Sequence, residues 1–220
     1  LSNLEYGNLA ALLVHGMYVT VQVTAGSALM AVCVACVAGL ARASTRKLLS
    51  WPAAIYVETF RGTSALVQLF WIYFVLPRFG LDIGAMTAAI TALGLNAGAY
   101  GAEVVRGAIR AVPDGQREAA MALNLTAART LRCVIWPQAL PAMLPPAGNL
   151  LIELLKNSAL VSLITVADLT FSAQLVRSST LQTGLIFGFV LLAYYAMAAC
   201  LSGMARTFER RLREARTHGL

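Results

Sequence analysis

Charge is what this sequence has least of. Only 12% of its 220 residues are Asp, Glu, Lys or Arg, 59% are hydrophobic, and the mean hydropathy is +0.71. That balance excludes an ordinary soluble domain and points to a membrane protein. A net charge of +7 would suit nucleic acid, but the basic residues recur between apolar runs instead of forming one patch, so no nucleic-acid partner is expected. A GxxxxGK[ST] phosphate loop is missing, and with it any means of holding a nucleotide within this chain. No serine–histidine pair, metal-ligand cluster or paired aspartates stand where an intramembrane enzyme could use them. Four cysteines fit neither a redox nor a metal scheme: Cys33 and Cys36 have CxxC spacing, but in an apolar stretch without polar company, as packing residues do. No basic start leads to a small-residue cleavage site. The sequence opens on Leu1, not Met, and a few residues are expected to precede it.

What is present follows the bilayer. Apolar runs of about 20 residues lie near 11–40, 53–76, 83–102, 138–164 and 183–204. Between them, 13 of the 17 Lys and Arg fall on one side: Arg42, Arg46 and Lys47, then five arginines after the third run, then Arg206 onward. The positive-inside rule puts that side in the cytoplasm. The expectation is an all-α integral membrane protein forming a single domain over 1–220. It has five transmembrane helices, the N-terminus outside and the C-terminus cytoplasmic, and its first span acts as its own insertion signal. Residues 1–13 read as a short interfacial helix on the outer face. His15, Thr20, Gln22 and Thr24 read as a polar row turned into the bundle, because hydrocarbon is a poor place for such groups. Trp51 suits the headgroup level. The segment 165–183, with Asp168, Gln174 and Arg177, reads as an exposed outer loop or short helix.

One stretch, about 103–137, is long and polar. Pro113 and Gly115 break its first helix. A short helix over 116–123 follows, with Ala119, Ala120, Ala122 and Leu123 leaving its backbone approachable. Asn124 tolerates the left-handed conformation of a helix stop, and Thr126 can cap the helix beyond. The product is a helix-turn-helix knob on the cytoplasmic face.

The run Glu118-Ala119-Ala120, Asn124 and Val134-Ile135-Trp136-Pro137 resembles the EAA loop of ABC-importer permeases. Asn124 stands where that motif has glycine, and Val134 and Trp136 stand for isoleucine and leucine. VRGAIRAVPDGQREAA and PQALPAMLPP are similar to the polar amino-acid uptake branch (histidine, glutamine and arginine permeases). GAYGAEVVRGAI and LPPAGNLLIELLKNSALVSLITVADLTF look nearest to ectoine and hydroxyectoine permease subunits. The resemblance implies a permease subunit of a bacterial inner-membrane ABC importer for an amino acid or a similar solute. It implies that Pro113, Gly115, Glu118, Ala119, Ala120, Leu123, Asn124 and Thr126 form a coupling helix docking on an ATPase dimer. It also implies a second permease subunit, identical or similar, and an extracytoplasmic solute-binding protein. The chain itself carries no cofactor; ATP and Mg are bound by the partner ATPase. Closure of that ATPase would drive alternating access.

Polar residues inside the spans are the candidates for the solute path. Glu58 and Arg61, three apart, can pair on one helix face within a block resembling the family's E-x-x-R-G-T-P-x-L-V-Q-L run, with Ser64 in place of proline. A structural ion pair is the preferred reading. Gln68 lies deeper and is a path candidate. Asn96 and Tyr100 share a face that could line a path or hydrogen-bond across helices. Glu153 and Lys156 are spaced to neutralise each other, as a structural pair or as path residues, and Asn157 and Ser158 extend that face. Gly94, Gly98 and Gly101 allow a close helix crossing, read as a contact between two permeases. Glu103 can reach Arg106 or Arg110. The competing reading is a gradient-driven secondary transporter or channel using Glu58, Glu153 and Lys156; a docking knob would be superfluous there.

Overall fold

The structure is a computed structural model describing the backbone of residues 3–217 and the side chains of residues 9–211. Every regular element among these is a helix. The chain opens with α1 (Asn3–Ala43), then turns within three residues into α2 (Lys47–Gly62). After a break at Thr63 and Ser64 comes α3 (Ala65–Phe70), prolonged by a π turn and a 3-10 turn to Phe79. Next are α4 (Ala85–Arg110), α5 (Asp114–Ala122) and the short α6 (Ala127–Thr130), which runs through a π turn into α7 (Trp136–Asn157). A 3-10 segment (Ser158–Ile164), α8 (Leu169–Thr180) and α9 (Thr183–Thr217) complete it.

Three helical stretches are long and apolar enough to cross a membrane: Leu9–Ala43, Ala127–Ile164 and Thr183–Arg211. The α2–α3 pair makes a fourth if its limbs, bent by 107°, count as one crossing. The sequence pattern had read this region as one continuous span; the polar run Gly62-Thr63-Ser64 breaks it. α4 has the length, at 26 residues, but its apolar content is largely alanine and glycine and it carries Asn96, Glu103 and Arg106. No separate interfacial helix precedes the first span: from Asn3 onward the backbone is continuous with α1, whose 41 residues rise about 60 Å. Residues 1 and 2 lie outside the described residues.

α1 and α4 form the tightest pairing. A Cβ on Gly98 would stand 2.9 Å from Val34 Cβ, one on Gly94 2.9 Å from Met30 Cβ, and one on Gly101 2.7 Å from Ala35 Cβ. From the opposite helix, a Cβ on Gly39 would meet Val105 Cβ at 2.6 Å and the Ala102 carbonyl oxygen at 2.8 Å. The glycine stripe expected at a contact between subunits is therefore occupied by α1 of the same chain. Around it packs a core that includes Val23, Leu69, Leu93 and Ile164, each 1% exposed or less. Of the predicted inward polar row, Thr20 and Thr24 are buried and donate to the carbonyls four residues back. His15 and Gln22 are exposed; a helix turns 100° per residue, so four positions spread over 15–24 cannot share one face.

Filling the crossing has a defined cost. Gly39→Ala should destabilise the protein by about 1–3 kcal/mol, the usual penalty for overpacking, seen as a lower melting temperature in detergent. Gly107→Ala, where a Cβ meets nothing within 4 Å, should leave melting unchanged or slightly raised.

Candidate functional site

The knob is built as the motif suggested. α4 stops at Ala111, and Pro113 takes an extended conformation (φ −56°, ψ 140°) immediately before α5. Asp114 sits in the first turn of α5, where a carboxylate complements the helix dipole. At the other end, Asn124 is left-handed (φ 53°). The Leu125 N–H donates to the Ala120 carbonyl at 3.0 Å and the Asn124 N–H to the Met121 carbonyl at 2.9 Å. Those two bonds are the Schellman pattern, which explains why asparagine can stand at a glycine position. The Thr126 hydroxyl accepts from the Arg129 N–H at 3.4 Å, capping α6.

α5 offers a surface and is braced behind it. Gly115, Glu118, Ala119 and Ala122 are exposed, as are Met121 (64%) and Leu123 (74%), while Ala120 is buried. Arg117 Nη2 donates to the Ile109 carbonyl at 3.1 Å, tying α5 to the last turn of α4. Gln138 Nε2 donates to Gln116 Oε1 at 3.1 Å, tying it to the first turn of α7. Neither brace was foreseen from the sequence, since a glutamine pair 22 residues apart carries no local signal.

The charged candidates are rearranged. Glu58 pairs with Arg42 at 3.3 Å, not with Arg61, because the end of α1 lies beside its turn of α2. Arg42 also approaches Glu103 at 3.1 Å, and Glu103 holds Arg106 at 2.9 Å. α1, α2 and α4 are thus joined at the knob end by one ionic chain, in which Arg42 had been counted only as a topology signal. Arg61 instead lies over the Tyr100 ring, 5.4 Å from its centroid, within cation–π range. Glu153 and Lys156 form no ion pair, and both are exposed.

The neutral candidates gather at the break after α2. Its last carbonyls have no helical partners, and side chains supply them: Gln68 Nε2 donates to the Phe60 carbonyl at 2.8 Å, and Asn96 Nδ2 to the same oxygen at 3.3 Å. Asn96 also donates to Gln68 Oε1 at 3.0 Å, and the Tyr100 hydroxyl to the Arg61 carbonyl at 3.4 Å. Of the two uses left open for Asn96 and Tyr100, the structure realises the cross-helix bonds. Asn96, Tyr100, Glu153 and Asn157 nonetheless line one small cavity of about 10 Å³ between α4 and α7. Ser158 is fully buried and donates to the Leu155 carbonyl at 2.7 Å.

The segment 165–183 is less exposed than expected. Asp168 is fully buried; its Oδ1 accepts from the Phe171 N–H at 2.9 Å as the N-cap of α8, and Tyr194 donates to Oδ2 at 3.4 Å. The Leu169 N–H donates to Thr20 Oγ1 at 3.1 Å. Gln174 and Arg177 remain on the surface. Burial raises the Asp168 pKa above its ordinary value, against the lowering effect of the Phe171 and Thr170 amides and the Tyr194 and Thr170 hydroxyls.

A chain with a knob of this construction has relatives. The family described as the binding-protein-dependent transport system inner membrane component matches residues 23–214. The chain belongs to that family. The probable amino-acid ABC transporter permease protein y4tF of Sinorhizobium fredii is 41% identical to this permease over 210 residues, covering 93% of this chain and 88% of that protein. The glutamine transport system permease protein GlnP of Escherichia coli K12 is 35% identical over 204 residues, 92% and 93% of the two chains. The crystal structure of an amino acid ABC transporter with histidines superposes with a TM-score of 0.86 at 37% identity, covering 96% of this chain and 99% of that one. The inward-facing MetNI methionine ABC transporter, at 23% identity and a TM-score of 0.81, shares the fold.

Two variants test these local structures. Asn124→Gly should keep the knob intact, whereas Asn124→Ala should cost it about 1–2 kcal/mol at the left-handed position, read as faster proteolysis near residue 124. For Asp168, a raised folded-state pKa gives stability that is complete below the ordinary carboxylate pKa and declines as pH rises through the raised value. Asp168→Asn keeps an acceptor for α8, so its melting temperature should fall less than that of the natural chain as pH rises from about 4 to 8.

Proposed function

We propose that this chain is the membrane-spanning subunit of an ATP-driven bacterial importer for an amino acid or an amino-acid-like zwitterion. The observation that carries the proposal is α5: a helix with a small-residue exposed face, clamped to α4 on one side and α7 on the other. A separate ATPase dimer receives that face, ATP and Mg are bound there, and a second permease subunit stands alongside. An extracytoplasmic solute-binding protein delivers solute to the outer mouth near the exposed Gln174 and Arg177. The chain crosses the inner membrane five times, through α1, the α2–α3 pair, α4, α7 and α9, with its N-terminus outside and its C-terminus cytoplasmic. The reading is supported by the basic residues on the knob side and by the family membership.

Within the bundle, Asn96, Tyr100, Glu153, Lys156 and Asn157, joined by Arg61 over Tyr100, line the solute path. Groups of both signs among these residues suit a solute bearing both charges. Names such as amino-acid and glutamine permease among the relatives favour polar amino acids. Ectoine and hydroxyectoine, zwitterionic and of similar size, are the alternative solutes. ATP binding closes the ATPase dimer, draws the two knobs together and reopens the bundle outward. Each step requires that the states differ in free energy.

Single cysteines at Ala119 or Ala122, in a background without the four native cysteines, should crosslink to the ATPase, with yields that change on adding ATP. Absence of crosslinks in an assembled transporter, together with uptake insensitive to vanadate, would return the gradient-driven reading to first place. Glu153→Gln should lower uptake roughly tenfold, as loss of one charge-assisted contact does, while the ATP-dependent crosslinks persist.

A further inference from the structure

On the face of the α4–α7 seam away from the polar cavity lies a much larger void of about 220 Å³, bounded by α1, α4 and α7. We propose that this slot is a binding site for one acyl chain of a phospholipid from the leaflet on the knob side. Its walls run from Ala28 to Cys36 on α1 and from Ala97 to Val105 on α4, in each case about 12 Å along the helix axis, so the space is elongated and parallel to lipid tails. It lies in the half of the bundle nearer the knob, because Ala43 and Arg110 end those helices at that side.

The lining decides the class of occupant. It contains no carboxylate, amide, hydroxyl or guanidinium group; the least apolar members are the Cys36 thiol, the Met143 thioether and the Trp136 indole. Water needs two to four polar partners to be held in such a place, and a zwitterion needs more. A polymethylene chain needs none, and the medium around this part of the chain is hydrocarbon. The protein does not fill the slot itself, because α1 and α4 present mainly alanine, glycine and valine opposite the larger side chains of α7. The mouth is open sideways between α1 and α7, where Val32 (61% exposed) and Ala147 are both at the surface. Arg132, exposed and without an ion pair among the described residues, precedes the lining residue Trp136 by four positions on the knob side. A cation there sits at the level of a lipid phosphate.

The test uses the whole transporter in vesicles of phosphatidylethanolamine and phosphatidylglycerol containing a phospholipid with a diazirine in its acyl chain. After photolysis, adducts are mapped by mass spectrometry. Peptides bearing Met143 and Leu151 should be labelled, and labelling should fall severalfold in either Ala31→Phe, which fills the slot from α1, or Ala147→Phe, which blocks its mouth. Leu185 and Leu192, exposed on α9 (71% and 64%), report ordinary contact with bulk lipid and should be labelled equally in all variants. Unlabelled lining peptides beside labelled α9 would overturn the proposal. So would lining adducts that persist undiminished in both filled variants while α9 labelling is normal.

Discussion

Where Gly94, Gly98 and Gly101 of α4 meet Met30, Val34 and Ala35 of α1, α4 contributes no side chain, and those of α1 pack directly on its backbone. Between helices in lipid there is little hydrophobic gain to be had from association, so close packing must supply the attraction. That requirement places the other elements. With α4 fixed against α1, the Tyr56 hydroxyl reaches the Leu95 carbonyl at 2.6 Å and holds α2 across the pair. At the knob end the same crossing brings Arg42 between Glu58 and Glu103. Arg42 is 13% exposed and Glu103 22%, so this part of the chain is costly to break, whereas Glu58, 71% exposed, adds little.

A second constraint acts at the break after α2. The last carbonyls of a helix need partners that the helix itself does not supply. Gln68 and Asn96 therefore turn their amides to the Phe60 carbonyl, and Tyr100 turns its hydroxyl to that of Arg61. Bracing the break also sets the chemistry beside it. Once Tyr100 is held against the end of α2, its ring lies under the Arg61 guanidinium, while Tyr100 itself lines the small cavity that Glu153 and Asn157 line from α7. Tyr100 thus both repairs the backbone and holds the Arg61 cation.

What the sequence revealed divides along the same line. Local backbone requirements were readable: Asn124 at the helix stop, Thr126 at the next cap, Pro113 at the turn. Each works within a few residues, so its neighbours in sequence are its neighbours in space. The all-helical class was readable from the apolar runs. Partners across elements were not. The three-residue spacing of Glu58 and Arg61 permits a pair, but Arg42 arrives from another helix, and no periodicity says so. The glycine stripe of α4 announced a close approach without saying to what. Asp168 looked like a loop residue because its burial depends on α1 and α9 meeting over it. The break at Thr63 had a signal in its polar run, outweighed by the apolar residues on both sides.

The braces behind α5 bear on how a displacement of the knob would spread. Arg117 fastens it to the end of α4, which is locked to α1 by contacts with no slack for sliding. Gln116 fastens it to the start of α7, where Pro137, Pro141, Pro145 and Pro146 remove backbone bonds and soften the helix. Equal force at the two attachments therefore produces unequal motion. α4 would carry α1 with it as one body, whereas α7 can bend or rock, with the large apolar slot on one side and the small polar cavity on the other. Movement of α7 would shift Glu153 relative to Tyr100 across the small cavity both line, so a softer α7 would let a displacement of the knob reach the polar groups there.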